Sequence, residues 1–423
     1  MMEQLLHYVW KHKIFPLKEL KTTDGLPVEV IDTGLHNTNA GPDFFNAKIK
    51  INGTLWIGNI EIHDRASDWH LHGHDKDKAY DSVILHVVGD ADCDIYRTDG
   101  ELIPQILLVC PEQIVRNFEI LVQADRFPPC YRIVKSLPSL MLHSWMSALQ
   151  TERFSAKADV IMERLKKSGG SWEDTFFITL ARNFGFGLNG DAFEQWAGMI
   201  PLRAVDKHRD NLFQIEAVFF GQAGLLEEEI EDEYYRKLQK EFAYMKHKFE
   251  LDVMDASLWR FLRLRPGNFP HVRIAQSAFL YYQERGLFSR VMEAETVKQV
   301  KAILRSRTSD YWETHYQFYN PSPRRTKSLS DSSLNLIVIN TVVPFLYAYG
   351  RYKGEEALCE RAECFLTELK SENNYVTRMW NEIGLKVGNA ADSQALLQLK
   401  KEYCDKKKCL YCRIGFEFLK SKQ

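Results

Sequence analysis

Excess charge of either sign is missing from this chain. Its 423 residues carry 55 Lys and Arg against 57 Asp and Glu, a formal charge of −2. That excludes a globally basic nucleic-acid coat but leaves room for a local basic groove. A long apolar run is missing too. The best membrane candidate, "LNLIVINTVVPFLYAYG" at residues 334–350, is interrupted by Asn335, Asn340 and Pro344. It falls short of the ~20 apolar residues a span needs and reads as a buried core helix. The opening "MMEQLLHYVW" has an acidic residue and no extended apolar stretch, unlike a signal peptide. There is no internal repeat and no low-complexity segment. The expectation is a cytoplasmic protein without a membrane partner. Its eight cysteines are then thiols or metal ligands rather than disulfides.

The composition, 45% hydrophobic and 26% charged, is that of an ordinary globular protein, and the length predicts two or three domains. Residues 3–14 pattern as a short helix with Leu5, Leu6, Val9 and Trp10 on one side. "LPVEVIDTG", "NAKIKI", "LWIGNIEIH" and "SVILHVVGD" follow, short and rich in β-branched residues between Gly, Asn and Asp turns. "NAKIKI" and "GNIEIH" alternate like half-buried antiparallel strands; "SVILHVV" suits a strand buried on both faces. "DKDKAYD" predicts a short helix before that last strand, and "CDIYRT" and "IPQILLV" read as further strands. This is an α/β unit over residues 1–125. Prolines crowd "RFPPCYRIVKSLPS", predicting a linker over 126–139. From 140 to 423 nearly everything reads as helix. Leu142, Trp145, Leu149, Val160 and Leu165 fall on one face of a run ended by Gly169-Gly170. The charged stretch 227–249, with Glu233 and Lys237 four apart, reads as a solvated helix.

Alternation puts Glu61 and His63 on one face of their strand and turns Ile62 the other way. If "NAKIKI" and "LWIGNIEIH" pair around "ING", Asp43 meets Glu61 at the open end of the hairpin. Converging carboxylates favour a hard divalent cation such as Mg²⁺ or Mn²⁺. Such an ion can offset charge developing on a phosphoryl group. The competing reading is a pair of polar strand ends facing water.

"GPDF" followed eighteen residues after its Asp by "EIH", in the order helix, three strands, helix, strand, resembles the PD-(D/E)XK nuclease superfamily. The resemblance covers residues 1–120. It implies a restriction-endonuclease-like mixed sheet and a metal-dependent nuclease, or related phosphodiesterase, that uses a metal-activated water. Asp43 and Glu61 would be ligands, with the Ile62 backbone carbonyl assisting. His63 would stand where the family carries Lys, and as a neutral base it could handle the water. Lys48 or Lys50 could supply the displaced positive charge, and Glu3 could match an acidic residue some members carry on the opening helix. The implied partner is nucleic acid, DNA ahead of RNA. The alternative is a catalytically inactive nucleic-acid-binding or scaffold protein on the same fold. The whole chain is also similar to a large uncharacterised bacterial family with this layout.

Three further groups stand out. "HLHGHD" sets His70, His72 and His74 on alternate positions; imidazole suits Zn²⁺, which opens a third reading as a zinc hydrolase. The nearer expectation makes His72 and His74 supporting residues of the carboxylate site. Cys404, Cys409 and Cys412 form a C-x4-C-x2-C cluster able to hold Zn²⁺ or an iron–sulfur cluster with a fourth cysteine. Cys364 is the leading candidate, with Cys359 and Cys130 behind it. Arg265, Arg273, Arg324 and Arg325 flank Pro-rich turns and could grip phosphates or cap helices. "GFGLNG" at 185–190 follows a helix, so it reads as a helix–helix turn instead of a dinucleotide site.

Overall fold

A computed structural model of the chain describes residues 2–15 and 20–421. It divides into two units, Met1–Met141 with Lys401–Gln423, and Leu142–Lys400.

The first unit is built on one mixed sheet. Helix α1 (Met2–Lys11) buries Leu5, Leu6, Val9 and Trp10, the face its periodicity predicts. The strands are β1 (Val28–Asp32), β2 (Leu35–His36), β3 (Phe44–Ile51), β4 (Thr54–Arg65), β5 (Val83–Asp90) and β6 (Gln105–Leu107). Their order is β1-β3-β4-β5-β6, with β2 pairing on β3. β3 and β4 form the antiparallel hairpin, Ile51 opposite Thr54 across the two-residue Asn52-Gly53 turn. β4 and β5 run parallel, as do β5 and β6. β5 is buried from Val83 to Val88, as a continuous apolar strand should be.

The sequence misplaces some elements here. "DKDKAYD" forms two 3₁₀ turns, His74–Lys76 and Lys78–Tyr80, and the short helix α2 (Asp68–Leu71) precedes them. "CDIYRT" yields one isolated bridge, Tyr96 to Leu102. The Pro-rich stretch is no linker. It belongs to the first unit, forms a 3₁₀ turn over Tyr131–Ser136 after helix α3 (Glu112–Gln123), and buries Cys130 and Val134. The C-terminal segment, expected with the helices, also belongs to the first unit.

The second unit is largely helical, with one small ribbon, His315–Gln317 against Asn320–Pro321. Helix α4 (Ser139–Lys167) leads into it. Trp145, Leu149 and Leu165 are buried as expected, but Val160 is exposed and Ile161 takes the core position beside it. The Glu233–Phe249 helix shows its Glu233–Lys237 pair (2.7 Å) to solvent. The run Asp331–Lys353 is long and apolar enough to cross a membrane, yet 67% of its apolar window is buried inside the structure, as in a core helix. Pro344 lacks the N–H that would meet the Asn340 carbonyl in an α-helix, and the run widens to π over Val338–Val342. Asn183 Nδ2 donates to that carbonyl at 3.1 Å.

Candidate metal centre

The hairpin brings Asp43 and Glu61 together. The Asp43 N–H donates to Glu61 Oε2 at 3.1 Å, and the Ile62 N–H donates to Asp43 Oδ2 at 2.9 Å. Each carboxylate is therefore held by the other's strand. Asp43 Oδ2 also meets His7 Nε2 of α1 at 3.3 Å.

Glu61 turns its second oxygen, Oε1, toward imidazoles: 3.3 Å to His74 Nε2 and 3.5 Å to His63 Nε2. His63 Nε2 lies 3.1 Å from His72 Nδ1. The ligand nitrogens of His63, His72 and His74 all fall within 4.8 Å of one another. A tetrahedral ion with bonds of 2.0–2.1 Å has ligand–ligand edges of about 3.3 Å, and the 3.1 Å from His63 Nε2 to His72 Nδ1 matches one such edge. His63 and His74 are buried while His72 is exposed, so the cluster opens to solvent on the His72 side.

The loop that carries His72 and His74 explains how they converge. Gly73 between them is left-handed (φ 75°), a conformation that a side chain disfavours. That turn ends α2 and starts the next 3₁₀ turn, which brings both rings to β4 despite their alternate spacing. Tyr80 stacks on His74 at 3.7 Å between ring centroids. Beneath the cluster, His86 of β5 pairs with Glu61 in the sheet register and meets His63 Nδ1 through its Nε2 at 2.8 Å. With His63 Nε2 facing an ion, its Nδ1–H would donate to His86, an arrangement that fixes ring and tautomer.

Electrostatics suit imidazole ligands. Burial, aided by His74 and His72, pushes His63 down to about 4, and burial holds His86 well below the usual range. Both are then neutral near pH 7, with lone pairs to give. Burial raises Glu61 against the opposing pull of His74, and the nearby Asp43 charge raises it further. Burial would lower His7, but Asp43 and Glu3 outweigh it and the net shift is upward. Glu3 is itself raised, chiefly by burial, and its charge is felt by His7, Asp43 and His72.

Asp43, Glu61, His63, His72, His74 and Glu3 thus gather at one end of the sheet. Ile62 lies between two of them with its N–H given to Asp43. The lysines do not join them: Lys50 turns to Glu29 at 3.3 Å, and Lys48 is exposed opposite Ile57. His70 faces Asp75 at 3.7 Å. Sequence reasoning missed His7, four residues after Glu3 on the same helix face, and His86. A lone histidine inside a continuous apolar strand was the available signal for His86.

Arg273 is no phosphate grip. It is buried, its guanidinium donates to Gln276 (2.8 Å) and Asn268 (2.6 Å), and it lies over the Phe186 ring. Arg324 is exposed and pairs with Glu313 at 3.0 Å; Arg265 and Arg325 are exposed. Cys364 and Cys359 sit on the Glu356–Glu368 helix of the second unit, whereas Cys404, Cys409 and Cys412 belong to the first. Cys364 is exposed, and it is Cys130 that shares a unit with Cys404, Cys409 and Cys412.

The fold and cluster define an α/β protein with a candidate metal centre, continued by a helical unit. The chain belongs to the family described as Protein of unknown function (DUF2851), whose model matches residues 3–375. No curated protein and no solved structure matches it.

Proposed function

We propose that the protein is a metal-dependent phosphodiesterase acting on nucleic acid. The observation that carries this reading is the convergence of the His63, His72 and His74 nitrogens beside Glu61 Oε1. The donor set shifts the expected ion from Mg²⁺ toward Zn²⁺, with Mn²⁺ still accessible, because imidazole suits the softer metals. Bound there, such an ion would supply Lewis acidity toward a phosphoryl oxygen and lower the pKa of a water. Three imidazoles with one solvent-facing side leave a position open, as catalytic sites do.

Glu61 would take the proton from an attacking water, a role supported by its Oε2 held by Asp43 and its Oε1 facing the cluster. Asp43 positions Glu61. His7, its pKa raised, adds positive charge beside Asp43. His86 orients His63. Phosphodiesters are favoured as substrate by the element order and by the carboxylate pair across the hairpin. A PD-(D/E)XK-like ancestry would account for both, with imidazoles taking over the metal. A cytoplasmic location would suit such a substrate.

A second reading, a nucleic-acid-binding scaffold without catalysis, is favoured by one observation. Asp43 spends its carboxylate on Ile62 and His7, and no lysine joins the cluster among the described residues.

The test is metal analysis of the purified chain, followed by cleavage assays on single- and double-stranded DNA and RNA. Glu61→Gln should keep the ion and lose at least about a hundredfold in rate. A metal-loaded wild type that binds but never cuts would leave the scaffold reading; one that binds no ion at the histidines would remove the proposal.

A further inference from the structure

The C-terminal segment is fastened to the sheet unit by polar bonds. Asn117 Nδ2 of α3, buried, donates to the carbonyls of Phe418 (3.1 Å) and Leu419 (3.0 Å), at the end of the helix Arg413–Lys420. Lys407 Nζ donates to the Val122 carbonyl at 2.9 Å. The Arg413–Lys420 helix packs on α3 and on the Tyr131–Ser136 turn, which Cys130 leads.

This docking delivers three cysteines to a fourth that lies far away in sequence. Cys130, Cys409 and Cys412 are 7%, 9% and 7% exposed, and Cys404 is half-buried. Cys130 opens the Tyr131–Ser136 turn and Cys412 opens the Arg413–Lys420 helix, and these two elements pack on each other. The chain closes tightly on the Cys409–Cys412 turn: the Cys412 N–H donates to the Cys409 carbonyl at 3.3 Å. A Cβ on Gly415 would lie 2.1 Å from that carbonyl oxygen, so only glycine fits there. Cys412 also stands at the N-cap of the Arg413–Lys420 helix, where a thiolate is favoured.

We propose that Cys130, Cys404, Cys409 and Cys412 hold a thiophilic metal centre, a single Zn²⁺ or an iron–sulfur cluster, that locks the C-terminal segment onto the sheet unit. Four sulfurs complete the ligand set of either centre, where the local triad alone is one short. Binding releases the thiol protons to solvent and replaces protonated sulfurs with thiolates. The centre closes a loop that runs from Cys130 through the whole helical unit. It is independent of the imidazole cluster and stands whether or not that cluster is catalytic.

The experiment uses the full chain purified without oxygen, assayed for zinc, iron and acid-labile sulfide. Zinc without sulfide, together with thiolate-to-cobalt absorption after Co²⁺ exchange, indicates the single ion. Iron with sulfide and a visible chromophore indicates the cluster. The imidazole site produces neither signature. Cys130→Ser should lower the sulfur-bound metal by at least about tenfold, and Cys364→Ser should leave it unchanged. Should Cys130→Ser misfold, the wild type still decides: a mercurial must release the metal and expose these same thiols together. Full retention in Cys130→Ser, loss in Cys364→Ser, or a wild type that shows neither signature after reconstitution overturns the proposal.

Discussion

Asp43 and Glu61 hold each other across the β3–β4 hairpin, the Asp43 N–H on one Glu61 oxygen at 3.1 Å while the other faces His74 at 3.3 Å. The pair therefore works as a bracket: the first carboxylate sets the orientation of the second, and the second meets the imidazoles. Asp43→Asn keeps the backbone bond but weakens the grip on the Ile62 N–H and removes the charge beside His7. Calorimetric titration with Zn²⁺ should show affinity lowered about 10- to 100-fold, the usual cost of losing a group that orients metal ligands. Unchanged affinity would mean that Asp43 plays no part in the centre.

His72 and His70 sit two residues apart with opposite expectations. His72→Ala removes one of the three convergent nitrogens and should abolish tight binding, by at least about a hundredfold. His70→Ala, which loses only an exposed contact with Asp75, should bind as the wild type does. Because His72 is exposed, its apo-protein stability should stay within about 0.5 kcal/mol of wild type. Equal loss in both variants would contradict the assigned geometry.

Glu216 makes the stability of the helical unit depend on pH. It is fully buried, and desolvation raises it to about 7 against the hydrogen bonds from Tyr234 and Ser309. A raised carboxylate favours folding below its unfolded value and loses that contribution as pH rises through the folded one. His271, pushed by burial down to about 3, acts in the opposite sense and loses its contribution as pH falls from the unfolded value. In the window they share, the two slopes oppose each other, so the wild-type profile hides both. The difference between Glu216→Gln and wild type isolates the carboxylate. Denaturant unfolding should give the two equal stability at acid pH, with the variant ahead above pH 7 by on the order of 3 kcal/mol. A flat difference would show that Glu216 ionises freely in the folded chain.

Asn183→Ala should destabilise the helical unit by about 1–3 kcal/mol, the cost of a buried acceptor left without its donor. The affected acceptors outside its own helix are the Asn340 carbonyl and the Thr341 hydroxyl, which Asn183 Nδ2 meets at 3.1 and 2.9 Å. The effect should shrink in a Pro344→Ala background, where the restored N–H can take the carbonyl. Thermal unfolding of the two singles and the double checks this coupling.

Local pattern was enough for much of the first unit. Alternation in β3 and β4, the two-residue turn between them and the apolar run of β5 need only nearest-neighbour geometry, so Asp43, Glu61 and His63 could be placed from sequence. The face of α1 followed from its helical period in the same way. A period cannot say which distant segments meet. His7 reached Asp43 because α1 packs on β4, and His86 reached His63 because β4 and β5 pair in parallel, a contact between residues 23 apart. His72 and His74 were expected as supporting residues, but their convergence with His63 rests on the left-handed Gly73 between them. The Cys130 turn was brought to the segment of Cys404, Cys409 and Cys412 only by the docking of the C-terminal helix. The sequence by itself determined the strands, the hairpin and the helical character of the second unit, because those rest on repeating local preferences. Tertiary structure alone decided which side chains gather at the candidate centre, because long-range packing brings residues from separate elements within a few ångströms.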